Sequence, residues 1–427
     1  NEDFKRFMEE AHARGNRVIV DMVMNHTSTE HPWFIDSQDP NSERRDWYLW
    51  ADEDPAYLGP DAQTVWHPRD GDYYYGVFWS GMPDLNLENP AVTEEIFATA
   101  EIWLDEMNVD GFRLDAIMHL VEDERDQENT DVTHLWLEEF FTFYKSVNPY
   151  ALTVGEAWTQ TREVGEYTGD EVDIAFQFDL ALDILSSVNN GRSNIISGTQ
   201  QQIIDAFPPN QYATFITNHD QNRVMSQVRG SENRAKLAAS ILLTSPCVPF
   251  IYYGEEIGMS GVKPDEDIRL PMQWENDAAT AGFTTGTPWR TPHEDADERS
   301  VAAQQDDPAS LLNHYRALIH LRNGSAALRL GDWTLVESNA RAIYSYVRHV
   351  EGEAILMVIN LNREAVTAEE YSLVLPEETL AGELTAVSLL GTTPDGAPEL
   401  INGGFTDYVP FAEIPAFSTH IIQLQGN

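Results

Sequence analysis

The 427-residue chain carries 71 Asp and Glu against 26 Lys and Arg, a formal net charge of -45 and a sequence pI near 4.3. A surface this acidic repels phosphate backbones and anionic lipid, which argues against nucleic acid and membrane partners. With 42% hydrophobic and 11% aromatic residues it is not a disordered composition.

No apolar run approaches the roughly 18 residues of a membrane span. The charge has two readings, solubility and adaptation to high salt, where screening within about 3 Å at 1 M makes self-repulsion less costly. The single Cys247 rules out an intrachain disulfide framework and a thiolate metal cluster. The first 15 residues are a charged helical pattern rather than a signal peptide.

In chain order, a helix through Phe4, Phe7, Met8 and Ala11 leads past Gly15 into an apolar strand at 18–23. Similar strands are predicted at 109–114, 152–154, 172–176, 213–216 and 248–252, with helical stretches such as 94–106 and 233–243 between them. Strand-helix alternation predicts a parallel sheet or barrel. The stretch from about Thr27 to Pro90 is too long for an ordinary connection and reads as a small inserted domain. Beyond the helix carrying Leu311, Leu312, Tyr315, Leu318, Ile319 and Arg322, short strands at 343–347 and 355–359 begin an all-β module. The expected organisation is therefore a catalytic body at 1–26 and 91–335, an inserted domain at 27–90 and a C-terminal β-sandwich at 336–427.

Four polar clusters follow the apolar strands: Asp21 to His26, Gly111 to Asp115, Gly155 to Trp158, and Phe215 to Asp220. All strands of a parallel barrel end on one face, so these side chains would converge. Any one carboxylate alone reads equally as a helix cap or ion-pair partner; four such clusters are harder to explain that way. The chemistry needing such a set is glycoside cleavage, with one carboxylate at the anomeric carbon and a second, protonated, donating to the leaving oxygen. Arg113, on the same strand face as Asp115, would keep Asp115 ionised, and the apolar neighbours of Glu156 would raise its pKa.

Together with Met82-Pro83-Asp84-Leu85-Asn86 and Pro249 to Glu256, these segments resemble, in order, the signature regions of the α-amylase family, glycoside hydrolase family 13. The resemblance implies a (β/α)8 barrel with an inserted domain after the third strand and a C-terminal all-β domain. It implies Asp115 as nucleophile, Glu156 as acid/base and Asp220 as the carboxylate gripping sugar hydroxyls, with His26, Arg113 and His219 lining the sugar subsite, Asp21 below them, and Arg269 as a further sugar-contacting arginine. Retention through a covalent intermediate would place Asp115 and Glu156 about 5 to 5.5 Å apart.

The inserted region is rich in aromatics, including Trp33, Phe34, Trp47, Tyr48, Trp50, Trp66, Tyr73, Tyr74, Tyr75, Phe78 and Trp79. Most are expected to form its core and a minority to stack on pyranose faces. The chemistry requires no cofactor. A structural calcium is suggested by Asn25 and the backbone of His119, which resemble calcium-associated positions.

The sequence departs from the family in two places. Six strands are counted where the fold has eight, so the sequence is expected to begin at the third, about 80 residues into the family's pattern. Met118-His119 stands where many amylases have Lys-His.

The motifs point to hydrolysis of α-1,4 bonds in starch, maltodextrin or maltooligosaccharides. Met82-Pro83-Asp84-Leu85-Asn86 resembles an intermediate group of bacterial α-amylases between oligo-1,6-glucosidases and neopullulanases, whereas His31-Pro32-Trp33-Phe34 and Pro271-Met272-Gln273-Trp274 resemble α-glucosidases and trehalose synthases. The alternative is therefore an exo-acting α-glucosidase, oligo-1,6-glucosidase or transglycosylase, and an inactive scaffold is the remote third reading. A polymeric substrate points to a secreted protein, an imported oligosaccharide to a cytoplasmic one. Oligomeric state leaves no signal.

Overall fold

Four short apolar runs build the sheet of the first unit. In the computed structural model, Ile19–Met22, Gly111–Leu114, Leu152–Gly155 and Ile174–Phe176 lie side by side in that order, all parallel. Their inward side chains, among them Phe112, Leu114, Val154 and Ala175, are fully buried, as continuous apolar runs in a parallel sheet require. The structure describes residues 1–277 and 279–426; Ala278, within the 91–335 span, and Asn427, at the end of the 336–427 span, lie outside the described residues. The chain packs as two units: Asn1–Phe176 with Ala206–Tyr212, and Gln177–Asp205 with Ala213–Asn427.

Most of the strands are shorter than their apolar runs predict, while the one predicted at 152–154 extends one residue further, to Gly155. At the start of 109–114 the Asp110 carboxylate accepts from the Val18 amide at 2.8 Å while its own N–H donates to Val18 O at 2.8 Å, so a side-chain contact joins the main-chain pairing where the chain enters the strand. Gly111 follows at φ +147°, where a Cβ would stand 1.8 Å from the Leu152 carbonyl oxygen, so only glycine fits. The helix Asp131–Val147 packs Trp136, Leu137, Phe140 and Tyr144 inward at helical spacing, and Thr130 caps its N-terminus by accepting from the Thr133 amide.

After the first strand the chain forms a helix, Pro32–Ser37, and a three-stranded antiparallel sheet, Trp50–Ala51, Asp72–Tyr75 and Trp66–Arg69. Aromatic packing holds this part together. Phe34 is fully buried against Tyr48, Trp50 and Tyr74, with ring centroids 5.1, 5.6 and 4.9 Å away. Phe78 and Trp79 remain exposed.

In the second unit, Ala213 and Thr214 run parallel to Val248–Pro249, and the helices Phe178–Asn190, Glu232–Thr244 and Leu311–Gly324 bury Ile184, Leu242 and Leu318. The strand predicted at 248–252 stops at Pro249 because the chain then turns into the short helix Glu255–Ile257, entered through Gly254 at φ +83°. The C-terminal part is all β. A five-stranded antiparallel sheet (Asp332–Leu335, Ile343–Val350, Glu353–Asn360, Ser418–Gly426, Leu384–Leu390) shares one core with the strands Leu373–Leu375 and Phe405–Tyr408, through Val347, Leu356, Val358, Leu373, Phe405 and Ile422.

Candidate active site

Main-chain hydrogen bonds carry the strand register beyond the strand ends in the first unit. Asp115 N donates to Met22 O (3.3 Å), Glu156 N to Leu114 O (2.9 Å) and Ile117 N to Glu156 O (3.0 Å). Asp21, Arg113, Asp115 and Glu156 are thereby gathered around one guanidinium. Arg113 Nη1 donates to Asp21 Oδ1 at 2.9 Å and to Asp115 Oδ1, and Nη2 donates to Glu156 Oε2. Burial works against the charge on Arg113, but Glu156, Asp115 and Asp21 outweigh it and hold the group more firmly protonated than usual. Immediately after Asp115, Ala116 sits in the left-handed region (φ 48°, ψ 39°), a strained turn for a residue with a Cβ.

His26 is buried beside this group. Burial lowers its pKa, more than the nearby Asp115 raises it, so at neutral pH the ring is neutral and offers one donor and one acceptor. Its ring meets Phe78 edge to face at 5.3 Å.

The apolar setting expected for Glu156 is not what the structure holds. Trp158 turns out to solvent, and the carboxylate is bonded to Arg113 instead. The error came from reading chain neighbours as spatial neighbours, whereas alternate residues along an extended strand point to opposite faces. Met118, where a lysine was the family pattern, is buried in the core.

The second unit brings His219, Asp220 and Arg269 together. Asn218 Oδ1 accepts from the Asp220 amide at 3.0 Å and shapes the turn. Arg269 then binds both members of the His219-Asp220 pair: Nε donates to His219 O at 2.8 Å and Nη2 to Asp220 Oδ1 at 2.7 Å. Nη2 also reaches Asp265 Oδ2 at 3.0 Å, and His219 Nε2 lies 3.1 Å from Asp220 Oδ2. The sequence reading missed Asp265, although its position four residues before Arg269 is the spacing of a helical ion pair.

A second overlooked group lies behind His26. Asp84 is buried beside the half-buried Glu122; burial, reinforced by repulsion from Glu122, pushes the Asp84 carboxyl well above the ordinary range. Asn25 Oδ1, Asp84 Oδ1 and Glu122 Oε1 are each buried atoms without a hydrogen-bond partner among the described residues. Such uncommitted hard oxygens fit a calcium ion. Among the described residues no cluster of three or more His, Cys, Asp or Glu side chains is placed to hold a metal, so a cation here would also draw on amide or carbonyl oxygens. No helix among the described residues is long and apolar enough to cross a membrane.

Comparison with known proteins finds one family. The family described as "Alpha amylase, catalytic domain" matches residues 1–331. Alpha-amylase 3 of Dictyoglomus thermophilum is 39% identical over 369 residues, 85% of this chain and 71% of that protein. A trehalose synthase of Pimelobacter sp. is 32% identical over 454 residues, covering 89% of this chain and 78% of that protein. The crystal structure of an alpha-amylase from H. orenii superposes with a TM-score of 0.82 at 34% identity, covering 99% of this chain and 83% of that one.

Proposed function

Because the chain belongs to the α-amylase family, glycoside hydrolase family 13, with its barrel and C-terminal all-β domain, we propose that this glycoside hydrolase cleaves α-1,4-glucosidic bonds in starch, maltodextrin or maltooligosaccharides with retention. The observation that carries the reading is Arg113, whose two terminal nitrogens bond Asp115 and Glu156 at once. One guanidinium spanning both carboxylates keeps them within a few ångströms, as a retaining pair about 5 to 5.5 Å apart requires.

Asp115, hydrogen-bonded by Arg113, attacks the anomeric carbon. Glu156 gives its proton to the glycosidic oxygen as that bond breaks, leaving a glycosyl ester on Asp115. Proton donation requires the Arg113 contact to give way to the leaving oxygen. Glu156, now a carboxylate, takes a proton from water, whose oxygen attacks the anomeric carbon and releases Asp115. Asp220, with His219 and Arg269, binds sugar hydroxyls. His26 adds a neutral donor, and Phe78 and Trp79 are the exposed rings of the 27–90 insert suited to stacking on a sugar face. The spans 27–90 and 336–427 are the inserted domain and the β-sandwich of this assignment.

Asn25 and Asp84, with Glu122 beside them, form the structural calcium site in this reading. Calcium should raise the melting temperature of the parent and leave an Asp84→Asn variant unmoved; an equal response in both sinks the site. Polymeric glucan lies outside cells, which assigns a secreted enzyme, and finding the native protein confined to the cytoplasm would reverse this.

Product analysis tests the main reading. Soluble starch and maltotriose digested at low and high salt should yield mixed maltooligosaccharides early, with rapid loss of iodine staining. Asp115→Asn should fold as the parent does and lose at least about 10⁴-fold in kcat, as variants of a nucleophile do. The second reading, an exo-acting α-glucosidase, oligo-1,6-glucosidase or transglycosylase, is favoured by the similarity to a trehalose synthase. Glucose or trehalose from short substrates, with starch untouched, would decide for it.

A further inference from the structure

Arg269 gains its two bonds to the His219-Asp220 pair only if its backbone is held in place, and in the second unit two tyrosines fasten that backbone on both sides. Tyr252 donates its hydroxyl to Ile268 O at 3.0 Å, and Tyr253 donates to Leu270 O at 2.7 Å. These are the carbonyls one residue before and one residue after Arg269.

The tyrosines are themselves fixed. Their rings meet edge to face at 4.8 Å, and the Arg223 guanidinium lies over both, 4.6 and 4.7 Å from the two centroids. Arg223 is fully buried. Its Nη1 donates to Tyr253 O at 2.7 Å, while Nε and Nη2 have no hydrogen-bond acceptor among the described residues, so the ring faces take that place. Its main-chain N–H donates to Gly261 O at 3.0 Å, and a Cβ on Gly261 would come within 2.5 Å of Asp267 O. Glycine is what lets this loop close onto the cluster.

The anchors matter because Arg269 has a choice. Its Nη2 is shared between Asp220 at 2.7 Å and Asp265 at 3.0 Å, and its side chain is 38% exposed, long and flexible. A small drift of its backbone would favour Asp265 and uncouple the guanidinium from Asp220. We propose that Tyr252 and Tyr253, locked by Arg223, are positioning residues that set where Arg269 meets Asp220. The proposal rests on the reading of Asp220 and Arg269 as sugar-binding groups.

The test is a double-mutant cycle in the full chain on maltotriose: the pair Tyr252→Phe and Tyr253→Phe, Arg269→Ala, and the combination, with Asp220→Asn as reference. Phenylalanine keeps the rings and removes only the two hydroxyl bonds, so the melting temperature should move by a few degrees at most. The tyrosine pair should lower kcat and kcat/KM alike by about tenfold, the order expected for two neutral hydrogen bonds acting on transition-state binding. On the Arg269→Ala background the same pair should cost less than about twofold. Unchanged kcat/KM in the tyrosine pair, or a full tenfold loss on top of Arg269→Ala, overturns the positioning role while Asp220→Asn stays inactive. Full activity of Asp220→Asn would instead overturn the underlying reading of the site, and this proposal with it.

Discussion

Glu255 shows how far burial alone can move one group. It is buried in the second unit, accepts from the Tyr315 hydroxyl at 2.9 Å and leaves Oε2 without a partner among the described residues. Burial pushes its carboxyl from 4.5 up to about 8, an effect that the Tyr315 bond and Arg223 reduce but do not cancel. The folded state therefore holds one more proton than the unfolded state between those two values. The associated stability is present below the unfolded pKa and is lost as pH rises through about 8. Glu255→Gln keeps the acceptor for Tyr315 and cannot ionise. Melting curves from pH 6 to 9 should fall less for the variant than for the parent, with the variant more stable by a few kcal/mol at the alkaline end. Parallel curves would mean that Glu255 stays ionised throughout.

At the scale of elements, the strand Gly111–Leu114 decides whether the first-unit site exists, since it carries Arg113 and leads into Asp115. Its entry rests on Gly111, where an added methyl meets the Leu152 carbonyl at 1.8 Å in a backbone conformation that disfavours side chains. Gly111→Ala should destabilise by more than about 3 kcal/mol and reduce activity in proportion to the folded fraction, read by urea unfolding. A variant with normal stability would show that the strand entry relaxes freely.

The strands were legible in the sequence because a buried parallel strand is a local run of apolar residues. Their ends were less so, since a side chain such as Asp110 can take up a strand-end amide, here that of Val18, alongside the main-chain bonds. Among the aromatics of the insert, the sequence could say that most must pack; which ones stay outside, Phe78 and Trp79, follows from three short strands whose pairing no periodicity announces.

At the scale of the molecule, a net charge of -45 with only 26 Lys and Arg means that most carboxylates face other carboxylates through solvent. Self-repulsion over such distances is screened once the Debye length falls from about 10 Å at 0.1 M to about 3 Å at 1 M. The melting temperature should therefore rise between 0.1 and 1 M sodium chloride and level off beyond, with activity following. A flat response would assign the acidity to solubility alone.

The sequence by itself determined the parts. Carboxylates, histidines and arginines standing where apolar strands end are a one-dimensional pattern, and parallel strands put such ends on one face for any chain that folds this way. It equally determined the acidic surface, because net charge is a sum over residues. Only the tertiary structure decided the partners. Arg113 reaches Glu156 across 43 residues, Tyr253 reaches Leu270 across 17, and Glu156 meets a guanidinium where its chain neighbours promised an apolar wall. The reason is geometric: a hydrogen bond is settled within a few tenths of an ångström, and placing two distant segments that closely depends on packing that no local pattern records.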